Sequence, residues 1–347
     1  MKLVLTGGGT GGHIYPALEV GRLAAERGAE LRYLGSLRGQ ESKACERLGI
    51  PFEGFASEPL WSLKTPAGWR ALIRLLRASG GAKRSMRRDR PDVVFSTGGY
   101  SAAPVMAAAR SLGIPYVIHE GNSIPGRTMR MFAPKATTVC CTFRTTLEHL
   151  PNAVRTGHPV RRELREAAQN REETPLVVVV GGSQGARFLN EGVPQAARSL
   201  SGLQWLHATG PAQYDAFKDA AKGIEGYELL PYIEADRLSG AYAHAMLAVA
   251  RSGSTLAEFA AFRLPSVLVP LPTSADDHQR HNALEFVKIG AATLCEQGKD
   301  DLAAAIREWT SDESKRLAAQ TALAEWDIPD ATSRLATIIE EAARKNA

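Results

Sequence analysis

The sequence predicts an α/β protein made of two Rossmann-like, doubly wound parallel-sheet domains that face a central cleft. Short apolar runs alternate with longer amphipathic stretches, each half opens with a strand that runs into a glycine-rich turn, and 347 residues suit two domains. Candidate strands in the first half are residues 3–6, 31–34, 93–96, 116–119 and 137–140. Those in the second half are residues 176–180, 205–208, 228–230, 246–250, 266–269 and 292–294.

The domain boundaries follow from the point where this pattern starts again. Pro175 introduces a leucine and four valines, a run typical of a strand buried on both faces. We therefore predict an N-terminal domain over residues 1–157 and a C-terminal domain over 158–329, with the linker near 157–161. A last helix within 330–347 is free to pack back on the first domain.

Composition and charge bound the function. Hydrophobic residues make up 44% and charged residues 23%, which is typical of an ordered globular protein. Residues 1–157 carry 22 Lys and Arg against 11 Asp and Glu, and residues 158–347 carry 20 against 26. The first domain is therefore expected to prefer an anionic partner.

The cellular compartment is indicated by the cysteines and by the apolar runs. The four cysteines match no metal-ligand spacing, and adjacent Cys140 and Cys141 would form a poor structural disulfide, so we expect reduced thiols. There is no secretory signal pattern and no apolar window of the roughly 20 residues needed to span a bilayer. We expect a soluble, cytoplasmic enzyme.

The first glycine-rich loop, residues 6–13, lies between a strand and a helix. Such a loop lets a ligand approach the backbone closely and offers helix N–H groups to an anion. Gly7, Gly9 and Gly12 satisfy the dinucleotide fingerprint, but residues 35–38 after the second strand lack the acid that would hold a ribose. A nicotinamide-dependent oxidoreductase and a tight turn without a ligand are the alternatives.

His13 ends this loop at the start of the helix. A neutral imidazole can act as a general base near pH 7, although a lone histidine is often structural. The second loop, residues 181–186, offers Ser183 and backbone N–H groups to a phosphate oxygen. Close packing of helix on strand is the alternative explanation for its glycines.

The segment 60–90 is basic and apolar at once. It holds nine Lys and Arg against a single acid, Asp89. Such a composition favours peripheral contact with an anionic lipid surface. A nucleic-acid-binding patch is the alternative, but the segment contains no recognised nucleic-acid motif. The predicted membrane-contact residues are Trp61, Trp69, Ile73 and Leu76.

Taken together, the motifs resemble the family of UDP-N-acetylglucosamine transferases of peptidoglycan synthesis. Seven motifs match in order along nearly the whole chain, at residues 6–17, 98–101, 119–122, 157–161, 181–186, 251–258 and 277–283. The resemblance implies the two-Rossmann fold called GT-B. The sequence departs from the family pattern in three places. The segment 253–258 is one residue shorter, Arg263 replaces a usual glycine, and His158 replaces a usual asparagine.

The resemblance implies that the C-terminal domain binds UDP-N-acetylglucosamine and that the N-terminal domain binds undecaprenyl-diphospho-N-acetylmuramoyl-pentapeptide at the cytoplasmic face of the membrane. Residues 252–258 would receive the diphosphate, Glu258 the ribose hydroxyls, and Gln279 the sugar hydroxyls. The implied donor-binding residues are Thr10, Gly11, Gly12, Asn122, Arg161, Ser183, Ser254, Thr255, Glu258 and Gln279.

The implied reaction is transfer of N-acetylglucosamine to the acceptor 4-hydroxyl with inversion. His13 is the first choice of base and Glu120 the second. Adjacent Asp276 and Asp277 do not form the Asp-x-Asp arrangement of metal-dependent transferases, so we expect neither an obligatory metal nor a cofactor. A UDP-N-acetylglucosamine 2-epimerase and a non-enzymatic lipid-binding module are the remaining alternatives.

Overall fold

The computed structural model describes residues 1–58 and 65–345, and the chain divides into two compact units. Unit 1 comprises Met1–Arg161 together with the chain from Ile328 onward, and unit 2 comprises Arg162–Asp327. The boundaries predicted from the sequence are 157/158 and 329/330.

Unit 1 alternates strands and helices from its first residue. Its elements, in chain order, are β1 (Lys2–Thr6), α1 (Gly11–Glu26), β2 (Glu30–Ser36), α2 (Glu41–Arg47), β3 (Phe52–Phe55), α3 (Pro66–Arg88), β4 (Val93–Ser96), α4 (Ala103–Ser111), β5 (Tyr116–Glu120), α5 (Arg127–Phe132), β6 (Thr138–Cys141), α6 (Thr146–His149) and β7 (Val154–Arg155).

The strands of unit 1 form one parallel sheet of order β3-β2-β1-β4-β5-β6-β7. β1, β4 and β5 are almost wholly buried because both faces of the sheet carry apolar clusters. The order reverses between β1 and β4, and ligands bind at such a point in open parallel sheets.

Unit 2 repeats the plan on a smaller scale. Its elements are α7 (Arg162–Ala167), β8 (Leu176–Val180), α8 (Arg187–Ala197), β9 (Gln204–Ala208), α9 (Tyr214–Phe217), β10 (Tyr227–Leu230), α10 (Ala235–His244), β11 (Ala245–Ala250), α11 (Thr255–Ala261), β12 (Ser266–Leu268), α12 (His278–Lys288), β13 (Ala292–Leu294), α13 (Leu302–Thr310) and α14 (Glu313–Trp326).

The sheet of unit 2 has the order β10-β9-β8-β11-β12-β13, again with every pair parallel. It reverses between β8 and β11, so the second glycine loop lies at the reversal point as the first one does. These two sheets confirm the predicted fold class.

The last helix, α15 (Ala331–Arg344), belongs to unit 1. Its buried face, which includes Leu335 and Ile339, packs in the same apolar cluster as β1 and α1. Unit 1 is therefore closed by residues from both ends of the chain.

The backbone at Arg263 shows why glycine is usual at this position of the family pattern. It follows the C-cap of α11 with φ +49°, and the N–H of Leu264 returns to the carbonyl of Phe259 at 2.8 Å. A residue in this left-handed conformation is ordinarily glycine because a Cβ is strained there.

We expect Arg263→Gly to raise the free energy of unfolding of unit 2 by about 1 kcal/mol, because it removes this strain. Thermal melting measures the change. Arg263→Ala is the control, since it keeps the Cβ, and an equal gain in that variant would show that the side-chain charge, rather than the backbone, sets the stability.

Candidate active site

The two glycine-rich segments of unit 1 pack backbone to backbone where β1 and β4 end. The N–H of Gly8 donates to the carbonyl of Gly98 at 3.2 Å. Gly99 has φ +83°, and a Cβ on it would lie 2.0 Å from the carbonyl oxygen of Gly8. Glycine is therefore required at this contact, and the close approach fixes the first loop relative to the second.

His13, in the first turn of α1, is anchored to the end of β4. Its Nδ1 lies 2.8 Å from the carbonyl oxygen of Thr97, and the Thr97 hydroxyl donates to the carbonyl of His13 at 2.6 Å. A carbonyl only accepts, so Nδ1 donates and the neutral ring carries its lone pair on Nε2. That tautomer is the one a general base needs.

Glu120 ends β5 with its carboxylate buried. One oxygen accepts from the backbone N–H of Asn122 at 2.8 Å and from its side-chain amide at 3.0 Å, and the other accepts from the N–H of Gly126 at 2.8 Å. Burial raises the pKa of Glu120 to about 7, although these hydrogen bonds oppose the rise. The carboxylate thus holds residues 121–126 and orients Asn122.

His158, the residue that replaces the family's asparagine, is buried beside this loop. Its Nδ1 lies 3.2 Å from the hydroxyl of Thr142, and its ring lies 5.6 Å from that of His119. Arg161 follows with its guanidinium 5.7 Å from the ring centroid of Tyr15, near the start of α1. The predicted residue Arg161 therefore lies close to the first glycine loop.

The glycine loop of unit 2 rests on the turn that follows β9. Gly185 has φ +74°, and a Cβ there would lie 1.8 Å from the carbonyl oxygen of Thr209. Asn190 on α8 donates to that carbonyl and to the side-chain oxygen of Gln213, both at 3.0 Å, and Gln213 donates to the carbonyl of Gln184 at 3.0 Å. This network fixes the loop from behind, while Ser183 is exposed at its tip.

α12 supports the segment that precedes α11. The buried Ser252 hydroxyl donates to the carbonyl of Gln279 at 2.7 Å, and Asn282 donates to the carbonyl of Ser252 at 3.1 Å. The side-chain oxygen of Gln279 accepts from the N–H of Leu271 at 2.9 Å, a contact that orients the side-chain amide. Ser254 and Thr255 begin α11, and the half-buried Glu258 follows one turn later.

The structure thus distributes the predicted site residues over the two units. Unit 1 holds Thr10, Gly11, Gly12, His13, Glu120, Asn122 and Arg161, which lie at or after the carboxyl ends of β1, β5 and β7. Unit 2 brings together Ser183, Ser254, Thr255, Glu258 and Gln279 around β8 and β11.

Two supporting residues had no assigned role in the sequence analysis. Thr97 carried no signal, since a threonine after a strand is common. Arg251 lies within a matched motif, but its function is visible only in the fold. Its guanidinium donates to the carbonyls of Val269 and Pro270 at 2.8 and 3.0 Å, and so it ties the end of β11 to the end of β12.

A buried histidine makes unit 2 sensitive to acid. The Nε2 of His207 lies 3.1 Å from the side-chain oxygen of Asn190, which can only accept, so Nε2 donates. The Nδ1 then accepts from the Tyr227 hydroxyl at 2.7 Å. Burial lowers the pKa of His207 from 6.5 to about 3. The unfolded chain therefore binds a proton that the folded unit does not, and stability is lost as the pH falls from 6.5 towards 3.

We expect the free energy that protects the amides of β9 from hydrogen exchange to fall by about 1.4 kcal/mol per pH unit between pH 6 and pH 4. His207→Gln should flatten this slope. In unit 1 two buried groups change stability in opposite directions as the pH falls. Burial lowers the pKa of His119 to about 4, which destabilises the folded unit in acid, and it raises the pKa of Glu120 to about 7, which stabilises it there. An unchanged slope in the variant would assign the acid sensitivity to other groups.

Two Rossmann-like units, each with a glycine-rich loop where the strand order reverses, form the two-domain fold called GT-B, and the family match makes the chain a glycosyltransferase. The chain belongs to glycosyltransferase family 28: residues 3–141 match the N-terminal domain of that family, and residues 176–339 match its C-terminal domain.

Relatives cover the chain from end to end. Proteins of Desulforudis audaxviator and Halorhodospira halophila are 38% and 39% identical, over 99% and 98% of both chains. Each is named UDP-N-acetylglucosamine–N-acetylmuramyl-(pentapeptide) pyrophosphoryl-undecaprenol N-acetylglucosamine transferase.

Solved structures share the two-domain fold of this chain. The Acinetobacter baumannii MurG structure matches with a TM-score of 0.78 and 27% identity, over 98% of this chain and 99% of that one. A putative UDP-N-acetylglucosamine 2-epimerase from Listeria monocytogenes matches with a TM-score of 0.71 over 99% of this chain and 97% of that one, but at 12% identity the likeness concerns the fold alone.

Proposed function

We propose that this chain transfers N-acetylglucosamine from UDP-N-acetylglucosamine to the 4-hydroxyl of undecaprenyl-diphospho-N-acetylmuramoyl-pentapeptide, with inversion at the sugar carbon. The observation that carries the proposal is full-length similarity to transferases named for this reaction, combined with a loop at each sheet reversal that suits an anionic ligand.

In this proposal unit 1 receives the acceptor and removes its proton. The 4-hydroxyl attacks C1 of the donor sugar while its proton passes to Nε2 of His13. The contacts of His13 with Thr97 set the tautomer that this step needs. Glu120 holds Asn122 and the loop after β5, which supports a positioning role for its carboxylate and leaves it the second choice of base.

Unit 2 receives the donor and stabilises the leaving UDP. The bond between C1 and the β-phosphate oxygen breaks, and negative charge grows on that oxygen. The N–H groups at the start of α8 and the Ser183 hydroxyl are suited to donate to it, and the network behind Gly185 holds them in place beforehand. Glu258 is assigned to the ribose hydroxyls and Gln279 to the donor sugar.

The reaction is tested with labelled UDP-N-acetylglucosamine and a short-chain lipid-linked muramoyl-peptide acceptor. We expect a disaccharide product, and a rate within about twofold of the untreated rate in excess chelator, because fixed N–H donors take the place of a metal ion. Loss of transfer in chelator would overturn the metal-free mechanism while keeping the reaction. Epimerised sugar from donor alone would favour the 2-epimerase instead.

We also propose that unit 1 meets the cytoplasmic face of the membrane through α3. Trp69, Ile73 and Leu76 are 56%, 47% and 63% exposed and lie three or four residues apart, so they share one face of the helix. Basic side chains flank this face, as expected of a surface that contacts anionic lipid. The fourth predicted contact residue, Trp61, lies outside the described residues. Within the described residues, no helix is long and apolar enough to cross a bilayer.

We expect Ile73→Ser/Leu76→Ser to weaken binding to anionic vesicles at least tenfold, because two exposed apolar side chains leave the interface. Transfer to a short-chain, water-soluble acceptor should stay within about twofold of the parent rate. Vesicle flotation and the transfer assay measure the two effects. Full vesicle binding by the double variant would remove α3 as the membrane-facing surface.

A further inference from the structure

An arginine-lined cleft of about 690 Å³ opens between the edge strand β3 and helix α3 of unit 1. It lies apart from the glycine loops, none of which contributes to its walls. Its charged lining residues are Arg74, Arg77, Arg84, Arg88 and Glu53. Four guanidinium groups against one carboxylate make it a strongly cationic concavity.

Two of the four arginines are neutralised within the protein. Arg74 pairs with Glu58 at 2.7 Å, and Arg88 approaches Glu53 at 3.5 Å. Arg77 and Arg84 pair with no carboxylate among residues 1–58 and 65–345. The cleft therefore holds two guanidinium groups whose charge an anionic ligand can neutralise.

The backbone shapes the floor of the cleft. Gly81 of α3 lies so close to β3 that a Cβ on it would be 2.9 Å from the ring of Phe55. β3 pairs with β2 alone among the described strands, so its other edge has no strand partner there. The helix and the sheet edge thus touch at Gly81, which leaves the cleft open between the longer arginine side chains.

The cleft adjoins the exposed apolar face of α3. Arg77 lies four residues after Ile73, and Arg84 lies seven residues after Arg77, so both flank the stripe formed by Trp69, Ile73 and Leu76. A ligand with an anionic head and an apolar tail matches both surfaces, because its head can enter the cleft while its tail covers the stripe.

We propose that this cleft is a binding site for the phosphate head group of one anionic membrane phospholipid, held by Arg77 and Arg84, with the acyl chains passing over the apolar face of α3. Arginine suits this role because its planar fork binds phosphate oxygens in pairs. The inference rests on the proposed contact of α3 with the membrane and adds a specific, saturable lipid site to it.

Matched double variants separate a site from diffuse attraction. Arg77→Gln/Arg84→Gln removes two charges from the cleft, and Lys83→Gln/Arg87→Gln removes two from the same helix outside it. On vesicles containing phosphatidylglycerol, both variants lose the same general attraction. We expect the cleft variant to bind at least tenfold more weakly than the control variant, and the two to bind equally to vesicles charged to the same extent by oleate.

A second measurement needs no membrane. Dihexanoyl-phosphatidylglycerol, titrated below its micelle concentration and followed by calorimetry, should bind the parent protein and the Lys83→Gln/Arg87→Gln variant at one site, and should fail to saturate the cleft variant. Inorganic phosphate should bind at least tenfold more weakly, since it gains nothing from the apolar face. Equal binding of phosphate and lipid would show a free-anion site instead.

The two measurements keep this inference apart from the proposed function. Equal losses by both double variants on phosphatidylglycerol vesicles, with no one-site lipid binding, would overturn the head-group site and leave membrane contact through α3 intact. A parent protein that binds no vesicle would overturn the membrane contact, whatever the rate of transfer to a soluble acceptor.

Discussion

Replacing His13 with alanine should lower the turnover of the transfer reaction by about 10²- to 10⁴-fold, the usual contribution of a positioned general base. The structure supplies the physical reason. The Thr97 carbonyl accepts a hydrogen bond from the Nδ1–H of the ring, so the lone pair is on Nε2 in the neutral form. We expect the KM for UDP-N-acetylglucosamine to change less than about threefold, because the donor contacts assigned to unit 2 remain.

The control is Thr97→Val, which keeps the carbonyl contact with Nδ1 but removes the hydroxyl that donates to the carbonyl of His13. A loss of tenfold or less is expected for it. Nearly full turnover in His13→Ala would eliminate His13 as the base and transfer that role to Glu120.

Glu120→Gln then distinguishes a base from a positioning residue. A glutamine amide keeps one acceptor oxygen but places a donor against the N–H of either Asn122 or Gly126, so the loop after β5 should loosen. If the carboxylate only positions the loop, its loss should weaken substrate binding as well as lower turnover. The decline of the transfer rate at low pH should then remain in the variant.

The strands were predictable because central parallel strands are buried on both faces and read as continuous apolar runs. β3 and β7 were missed for the opposite reason. β3 is a four-residue edge strand that contains Glu53 and Gly54, and β7 has only two residues. Neither segment offers an apolar run long enough to distinguish it from a loop.

The candidate site was predictable where the chemistry lies in glycine-rich loops, since these are visible locally. It was not predictable where a contact joins distant segments. The partner of His13 lies 84 residues away, and the two meet only because β4 pairs with β1 rather than with β3. The hydrogen bonds that the Glu120 carboxylate accepts were equally hidden, because they depend on the path of the chain after β5.

The second large effect is expected from Gly185→Ala in unit 2. Both Gly182 and Gly185 have positive φ, at +85° and +74°, so an alanine at either position is strained by roughly 1–2 kcal/mol. Only at Gly185 does the new methyl group also meet backbone, 1.8 Å from the carbonyl oxygen of Thr209, whereas at Gly182 nothing lies within 4 Å.

Gly182→Ala is therefore the matched control for the Gly185 substitution. Because Thr209 must move to admit the methyl group, its hydrogen bond from Asn190 should break, and the loop should lose the network that holds it. We expect Gly185→Ala to lower the free energy of unfolding of unit 2 by at least about 3 kcal/mol and to weaken UDP binding more than tenfold. Equal effects of the two substitutions, measured by denaturant unfolding and UDP calorimetry, would mean that backbone conformation alone, and not the contact with Thr209, shapes the loop.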